Sequence, residues 1–206
     1  MLASIHPLGE RARNNRWWLT ATAFAAASGL GGALTGLTAA MAGALLHPLS
    51  RGPIIGAAVA VCALAGAADL AALRIPSPAR QVNEDWLGTY RGWVYGAGFG
   101  IQLGTGLATI VVSATVPAAF VLAALASAST VGRVSGIVDG TSIGLVFGAA
   151  RALPLLGAGL IRRWEQLRRF HGRMAGAAGL ARLGGAGAAG LTVLGLVVFG
   201  FGPGSR

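Results

Sequence analysis

The chain has 206 residues, of which 54% are hydrophobic and only 11% charged, and its formal net charge is +10. This composition excludes a soluble globular domain and is typical of one polytopic helical domain in a membrane. A strongly positive charge can indicate nucleic acid binding, but the arginines here lie in short segments beside apolar stretches. We therefore predict no nucleic acid partner.

Two long stretches, residues 17–50 and 92–132, contain no Arg, Lys, Asp or Glu. About 20 apolar residues cross the roughly 30 Å hydrocarbon core, so each stretch exceeds one crossing without comfortably supplying two. We predict an all-α transmembrane helical bundle of five crossings, or up to seven if both stretches are hairpins, with broken or re-entrant helices. The predicted spans are 17–46, 54–73, 93–130, 136–160 and 174–201, in a single transmembrane domain (17–202) between an N-terminal tail (1–16) and a C-terminal tail (203–206).

The basic residues flank these spans unequally. With five crossings and the N-terminus inside, most arginines fall in the N-terminal tail and in the loops 74–91 and 162–173, and only Arg51, Arg133 and Arg206 fall outside. The positive-inside rule then places the N-terminus in the cytoplasm. The first apolar segment is too long for a signal-peptide core, so we expect it to be retained. Abundant Ala, Gly and Arg suit a GC-rich bacterial genome, and we predict the bacterial inner membrane.

Each long stretch contains a position where we expect its helix to break. In the later stretch this is Thr115–Pro117, because proline removes a backbone donor and clashes with the preceding turn. In the earlier stretch it is the glycine-rich segment Ser28–Gly32. Interrupted helices in corresponding places are typical of transporters built from repeated halves.

Glycine recurs every four residues in two of the spans, which predicts helices packed closely in the manner of a glycine zipper. The two ladders are Gly92, Gly96, Gly100 and Gly104, and Gly136, Gly140, Gly144 and Gly148.

Charged side chains within spans cost about 2.5–3.5 kcal/mol near the bilayer centre and so usually face the protein interior. Counted at about 1.5 Å per residue, four polar residues share the inner half of the membrane, and we predict that they line a cavity. Two arginines facing one aspartate suit an anionic solute, although Arg151 pairing with Asp69 is the structural alternative. The four residues are Asp69, Gln102, Arg151 and Arg182, and Asp139 lies near the opposite mouth.

The segment before the third span groups acidic, amide and aromatic side chains more densely than a membrane anchor requires. Aromatic residues alone would form an interfacial belt. We predict that the segment is a gate or a surface that docks a partner. Its residues are Arg80, Gln81, Asn83, Glu84, Asp85, Trp86, Tyr90 and Arg91.

Five arginines and Trp164 occupy residues 162–173, which predicts first a topology anchor and second a site for anionic lipids. The three histidines lack metal-ligand spacing, and Cys62 is the single cysteine. We predict no metal, no cofactor and no catalytic residue. The candidate partners are membrane lipids, a membrane or cytoplasmic protein, and a second copy of the chain.

The order of features over residues 54–160 resembles the CcdA/DsbD-type family of thiol electron-transfer membrane proteins and its wider superfamily of LysE-like small exporters. The similar segments are the arginine and proline loop Arg74–Gln81, the glycine-rich helix Phe99–Gly106, and Gly144–Gly148 followed by Arg151 and Pro154. The resemblance implies a related membrane fold. The reaction of that family needs two cysteines, so no thiol relay is carried over to this chain.

Three functions remain open at this point. The first is a membrane protein that binds or transports a small, anionic solute. The second is a non-transporting subunit that docks a partner through residues 74–91. The third is an intramembrane enzyme acting on lipids or terpenes, with Asp69 or Asp139 as general acid.

Overall fold

The computed structural model describes residues 5–45, 50–73, 75, 85–106, 111, 113–128, 133–161 and 163–200. Over these ranges the protein is helical, without a strand. The helices are α1 (Pro7–Ala12), α2 (Trp17–Leu45), α3 (Arg51–Leu70), α4 (Trp86–Thr89), α5 (Gly92–Gly104), α6 (Thr115–Ser127), α7 (Arg133–Ala158), α8 (Trp164–Gly176) and α9 (Ala178–Gly200).

Within the described ranges, four helices are long and apolar enough to cross a membrane, which is the composition of a helical membrane protein. They are Trp17–Leu45, Gly52–Leu70, Ser135–Ala158 and Gly179–Val198.

The predicted break in the first span is wrong, because α2 runs uninterrupted from Trp17 to Leu45. The Ser28 hydroxyl donates a 2.7 Å hydrogen bond to the Gly148 carbonyl of α7. A Cβ added at Gly32 would lie 2.1 Å from the Gly144 carbonyl oxygen. The small residues of this segment therefore allow a close helix contact, and that contact offsets their weak helix propensity.

The third predicted span contains two helices, and the predicted break at Thr115–Pro117 lies within the first turn of the second one. Helix α5 ends at Gly104 and α6 begins at Thr115, so Pro117 falls in the first turn of α6, where a missing N–H is tolerated. Gly106 has a φ of 68°, a left-handed conformation that favours glycine and follows the end of α5. Each of the two helices has 13 residues and is about 20 Å long, less than the hydrocarbon thickness.

The chain divides into two compact units, and the long helices α2 and α7 contribute to both. The first unit is Met1–Leu34, Ser77–Ile110 and Gly144–Ala177. The second unit is Thr35–Pro76, Val111–Ile143 and Ala178–Arg206.

In the first unit, α5 and the second half of α7 pack on the first half of α2 through glycine. A Cβ added at Gly104 would lie 2.0 Å from the Ser28 carbonyl oxygen, and one added at Gly148 would lie 2.1 Å from the same oxygen. Three helices thus meet at Ser28. In the same unit, Phe24, Tyr95 and other buried side chains form an aromatic and aliphatic core.

In the second unit, α3 packs along α9 and α6. Gly66 of α3 faces Ala189 of α9, so that a Cβ added at Gly66 would make an ordinary 3.5 Å contact. Helix α6 also receives the second half of α2 at Gly43, whose added Cβ would lie 1.9 Å from the Ala124 carbonyl oxygen. The first half of α7 approaches α6 in a similar way, since a Cβ added at Gly136 would lie 2.6 Å from the Ser127 Cα.

Replacing Gly148 by alanine should lower the stability of the protein by about 1–3 kcal/mol, because the new methyl group would collide with the α2 backbone, which cannot move aside as a side chain can. The measurement is a thermal melt of the purified protein in detergent. Gly157→Ala is the matched control, since Gly157 lies in the same helix with open space around it. Equal melting temperatures for the two variants would contradict a close contact at Gly148.

Candidate functional site

A cluster of hydrogen-bonded polar groups lies at the first turn of α6, in the second unit. Asp69, at the end of α3, is buried, and its carboxylate accepts hydrogen bonds from the Ser113 hydroxyl (2.6 Å) and from the Ala114 backbone N–H (2.7 Å). A carboxylate at a helix N-terminus satisfies otherwise unpaired N–H groups and interacts favourably with the helix dipole. Asp69 therefore holds the start of α6 in place.

The backbone donors at this helix start all have partners. The Thr115 N–H donates to the Ser113 hydroxyl oxygen, and the Val116 N–H donates to the Ser113 carbonyl. Pro117 has no N–H, and the Ala118 N–H donates to the Ala114 carbonyl. Helix α6 can consequently begin among apolar helices without an unsatisfied backbone group.

The cluster extends through a second hydroxyl and is closed by glycine. The Thr115 hydroxyl is hydrogen-bonded to that of Ser113. On α9, a Cβ added at Gly185 would lie 2.8 Å from the Asp69 carboxylate and 2.8 Å from the Ser113 hydroxyl. A larger residue at position 185 would push this helix away from the cluster.

A cavity of about 170 Å³ lies among α3, α6 and α9. Most of its wall is alanine and leucine, and its polar groups are the Cys62 thiol and the hydroxyls of Thr115 and Thr192. Thr115 belongs both to the cavity wall and to the Asp69 cluster. On α3, Asp69 follows Cys62 by two helical turns and so shares its face. The cavity is thus mainly apolar, with the Thr115 hydroxyl at the end next to the Asp69 cluster and with Cys62 and Thr192 about two helical turns away from that cluster.

The first unit contains a second polar centre, built around Glu10, which is fully buried. Its carboxylate accepts hydrogen bonds from the hydroxyls of Thr20 (3.0 Å) and Tyr95 (2.5 Å) and forms a 2.6 Å ion pair with Arg13. Burial lowers the pKa of Arg13, but the hydrogen bond to Glu10 and the charge of that carboxylate outweigh burial and raise the pKa above its ordinary value. The network ties α1 to α2 and α5, a structural role.

Sequence reasoning missed the Glu10 centre. The sequence indicates only a charged segment before the first span, and Tyr95 lies 85 residues away from Glu10. The local signal was Pro7, which favours the start of a helix that includes Glu10 three residues later. A carboxylate that stands among arginines in the sequence does not by itself indicate burial.

The residues predicted to line one cavity fall into both units. Asp69 and Arg182 belong to the second unit, and Gln102 and Arg151 belong to the first. The guanidinium of Arg151 stacks 5.3 Å from the ring centre of Phe147 in its own helix, a cation–π contact. Asp139, on α7, is exposed. The four-residue polar cavity stays a prediction.

The predicted docking segment is described only in part. Arg80, Gln81, Asn83 and Glu84 lie outside the described residues. Asp85, Tyr90 and Arg91 are exposed, whereas the Trp86 indole stacks on Phe99 with ring centres 6.0 Å apart.

Across the described ranges, no group of three or more His, Cys, Asp or Glu side chains is placed to hold a metal ion. No family model, no curated protein and no solved structure matches the chain. The resemblance to the CcdA/DsbD-type family therefore stays a prediction, and the geometry alone carries the function proposed below.

Tyr95→Phe should destabilise the protein by about 1.5–3 kcal/mol, because the buried Glu10 carboxylate would lose a charged hydrogen bond that no water replaces. Thermal melts in detergent measure the effect. Tyr90→Phe removes the same atom from a half-exposed tyrosine of the same segment and should leave the melting temperature unchanged. If Tyr95→Phe melted like the control, Glu10 would not depend on this hydroxyl.

Proposed function

We propose that the protein is an integral membrane protein that binds or transports a small solute, and that the solute occupies the cavity among α3, α6 and α9. The observation that carries the proposal is a largely apolar cavity that is bordered by the capped first turn of α6 and contains the hydroxyls of Thr115 and Thr192. Ligand sites between helices commonly have this form, with apolar walls and a few polar groups that orient the ligand. Helices that start or stop inside a membrane protein are frequent at such sites.

The volume of the cavity, which is only partly enclosed, indicates how much of a solute it can hold. A dry engineered cavity of about 150 Å³ in another protein takes up benzene. A cavity of about 170 Å³ therefore suits one six-membered ring or a short branched chain. The alanine and leucine wall favours the apolar part of such a molecule through the hydrophobic effect.

The directions of the hydroxyl hydrogens decide which polar group the solute needs. Ser113 donates its single hydroxyl hydrogen to Asp69, so the hydrogen between Ser113 and Thr115 belongs to Thr115. Thr192 donates its hydroxyl hydrogen to the Ala188 carbonyl. Both threonine hydroxyls thus offer the cavity lone pairs, and they bind a solute that carries a hydrogen-bond donor.

This cavity favours a neutral alcohol or an amine over an anion, because an anion would meet lone pairs and the nearby Asp69 carboxylate. The anionic solute expected from the sequence depends on Arg151 and Arg182 instead, and it stays a prediction. In the same proposal, the charge rule places the N-terminus in the cytoplasm of a bacterial inner membrane, and closely packed glycine ladders support the helix bundle around the site.

Cys62 provides a direct test, because it is the single cysteine of the chain and lines the cavity. In detergent, saturating benzyl alcohol should slow the reaction of Cys62 with a small maleimide by at least about tenfold. Toluene, which has the same ring and no donor, should protect with an affinity about fivefold to tenfold weaker, the difference expected for one hydrogen bond. Benzoate should give no protection.

Variants separate two parts of this proposal, the binding of a solute and the preference for a solute that donates a hydrogen bond. Thr192→Val should reduce the preference for benzyl alcohol over toluene, while Thr22→Val should not, since Thr22 makes the same hydrogen bond to a carbonyl four residues earlier but lies outside the cavity. Protection by toluene and benzyl alcohol with equal affinity would refute the donor preference and leave solute binding intact. Absence of protection by every probe would refute the site itself. Liposome flux of the tightest probe distinguishes transport from binding.

A further inference from the structure

We propose that α8 lies flat on the membrane surface and binds the headgroups of anionic phospholipids. The proposal is independent of the solute cavity, which α8 does not line. It depends on the position of α8 in the chain, on the pattern of its residues and on the charge of its exposed face.

The position of α8 keeps it close to the lipid. It follows α7 and precedes α9, both of which are long and apolar enough to cross a membrane. Residues 159–163 connect it to α7, and only Ala177 separates it from α9. A chain extends by at most about 3.6 Å per residue, so α8 begins within about 20 Å of the end of one membrane helix and ends beside another.

The sequence of α8 has the pattern of an interfacial helix. Apolar residues recur at 164, 167, 170 and 174, the spacing of one helix face, and charged and amide residues occupy the opposite face. The four spanning helices lack this separation, because they carry only isolated charged residues, such as Asp139 and Arg151 of α7, on largely apolar surfaces. A helix with one apolar and one basic face lies in the interface plane.

The local structure fixes where α8 begins and suits its charge. The Arg163 backbone N–H donates to the Gln166 side chain at 3.2 Å, which is half of a capping box at the helix start. Glu165 lies in the first turn and Arg173 in the last, and both charges interact favourably with the helix dipole.

The exposed face is strongly basic. Arg163, Arg168, Arg169 and Arg173 are exposed on or next to α8, against the single acidic residue Glu165. Guanidinium groups bind phosphate oxygens through paired hydrogen bonds, and the negative surface of an anionic leaflet attracts basic residues at about 1 kcal/mol each. Charge complementarity therefore selects anionic phospholipids over zwitterionic ones.

The test uses the full chain in detergent and measures lipid binding by native mass spectrometry. Phosphatidylglycerol should bind more tightly than phosphatidylcholine, and the preference should fall as salt is raised. The combined variant Arg168→Gln, Arg169→Gln and Arg173→Gln should lose up to roughly 100-fold of the preference, three steps of about fivefold each. The charge-conserving variant Arg168→Lys, Arg169→Lys and Arg173→Lys should keep most of it.

The matched control removes three exposed arginines elsewhere, in Arg11→Gln, Arg16→Gln and Arg91→Gln. It should keep much more of the preference for phosphatidylglycerol than the α8 variant does, because its three arginines do not share one helix face. Equal losses in the α8 variant and the control would show a general effect of net charge and overturn the proposal. So would equal binding of the two lipids by the wild-type protein, or binding of glycerol phosphate as tight as that of phosphatidylglycerol, which would indicate a site for soluble anions.

Discussion

A helix that begins among apolar helices exposes backbone N–H groups that lipid cannot satisfy, and Asp69 meets this constraint for α6. Its carboxylate accepts from the Ala114 N–H, and it orients the Ser113 hydroxyl that accepts from the next N–H. Because the carboxylate comes from the end of α3, the cap also joins two helices. Thr115, on the first turn of α6, belongs both to this capped helix start and to the cavity wall.

The second constraint is that the helices must pack with their backbones close together, and it follows from their lipid surroundings. Lipid is as apolar as leucine, so helices associate in a membrane through van der Waals packing and hydrogen bonds rather than through the hydrophobic effect. At Ser28 the backbones of α2, α5 and α7 approach so closely that both facing positions are glycine. The serine hydroxyl then reaches the Gly148 carbonyl, which a larger neighbour would prevent.

The sequence was sufficient for the helical membrane class and for the four long helices, because hydropathy is a local property that a bilayer acts on directly. It was insufficient to show that α2 is unbroken at Ser28–Gly32, since glycine can either interrupt a helix or allow a close helix contact, and only the neighbouring helix decides between the two. Proline is ambiguous in a similar way, because it can either break a helix or stand in its first turn. Pro117 stands in the first turn of α6, and the cap by Asp69 decides where that helix starts.

The candidate site was predictable in part for a related reason. Asp69 stands out because a carboxylate in an apolar span needs a partner, and it was singled out on that ground. The partners of Asp69 were not predictable. They are a serine hydroxyl and a backbone N–H, which are uncharged donors that occur throughout the chain, so the sequence does not single them out. Glu10 was missed because its hydroxyl partners lie in two other helices.

The hydrogen bonds of this protein also define an order of assembly during synthesis. Asp69 leaves the ribosome 44 residues before Ser113, so the cap of α6 is already in the membrane when that helix begins to form. Ser28 must wait for a partner 120 residues later. Helix α2 gains other partners earlier, because Gly104 of α5, which approaches the same Ser28 carbonyl, is made well before Gly148. The absence of any charge between residues 17 and 50 allows α2 to stay in the bilayer until these helices follow.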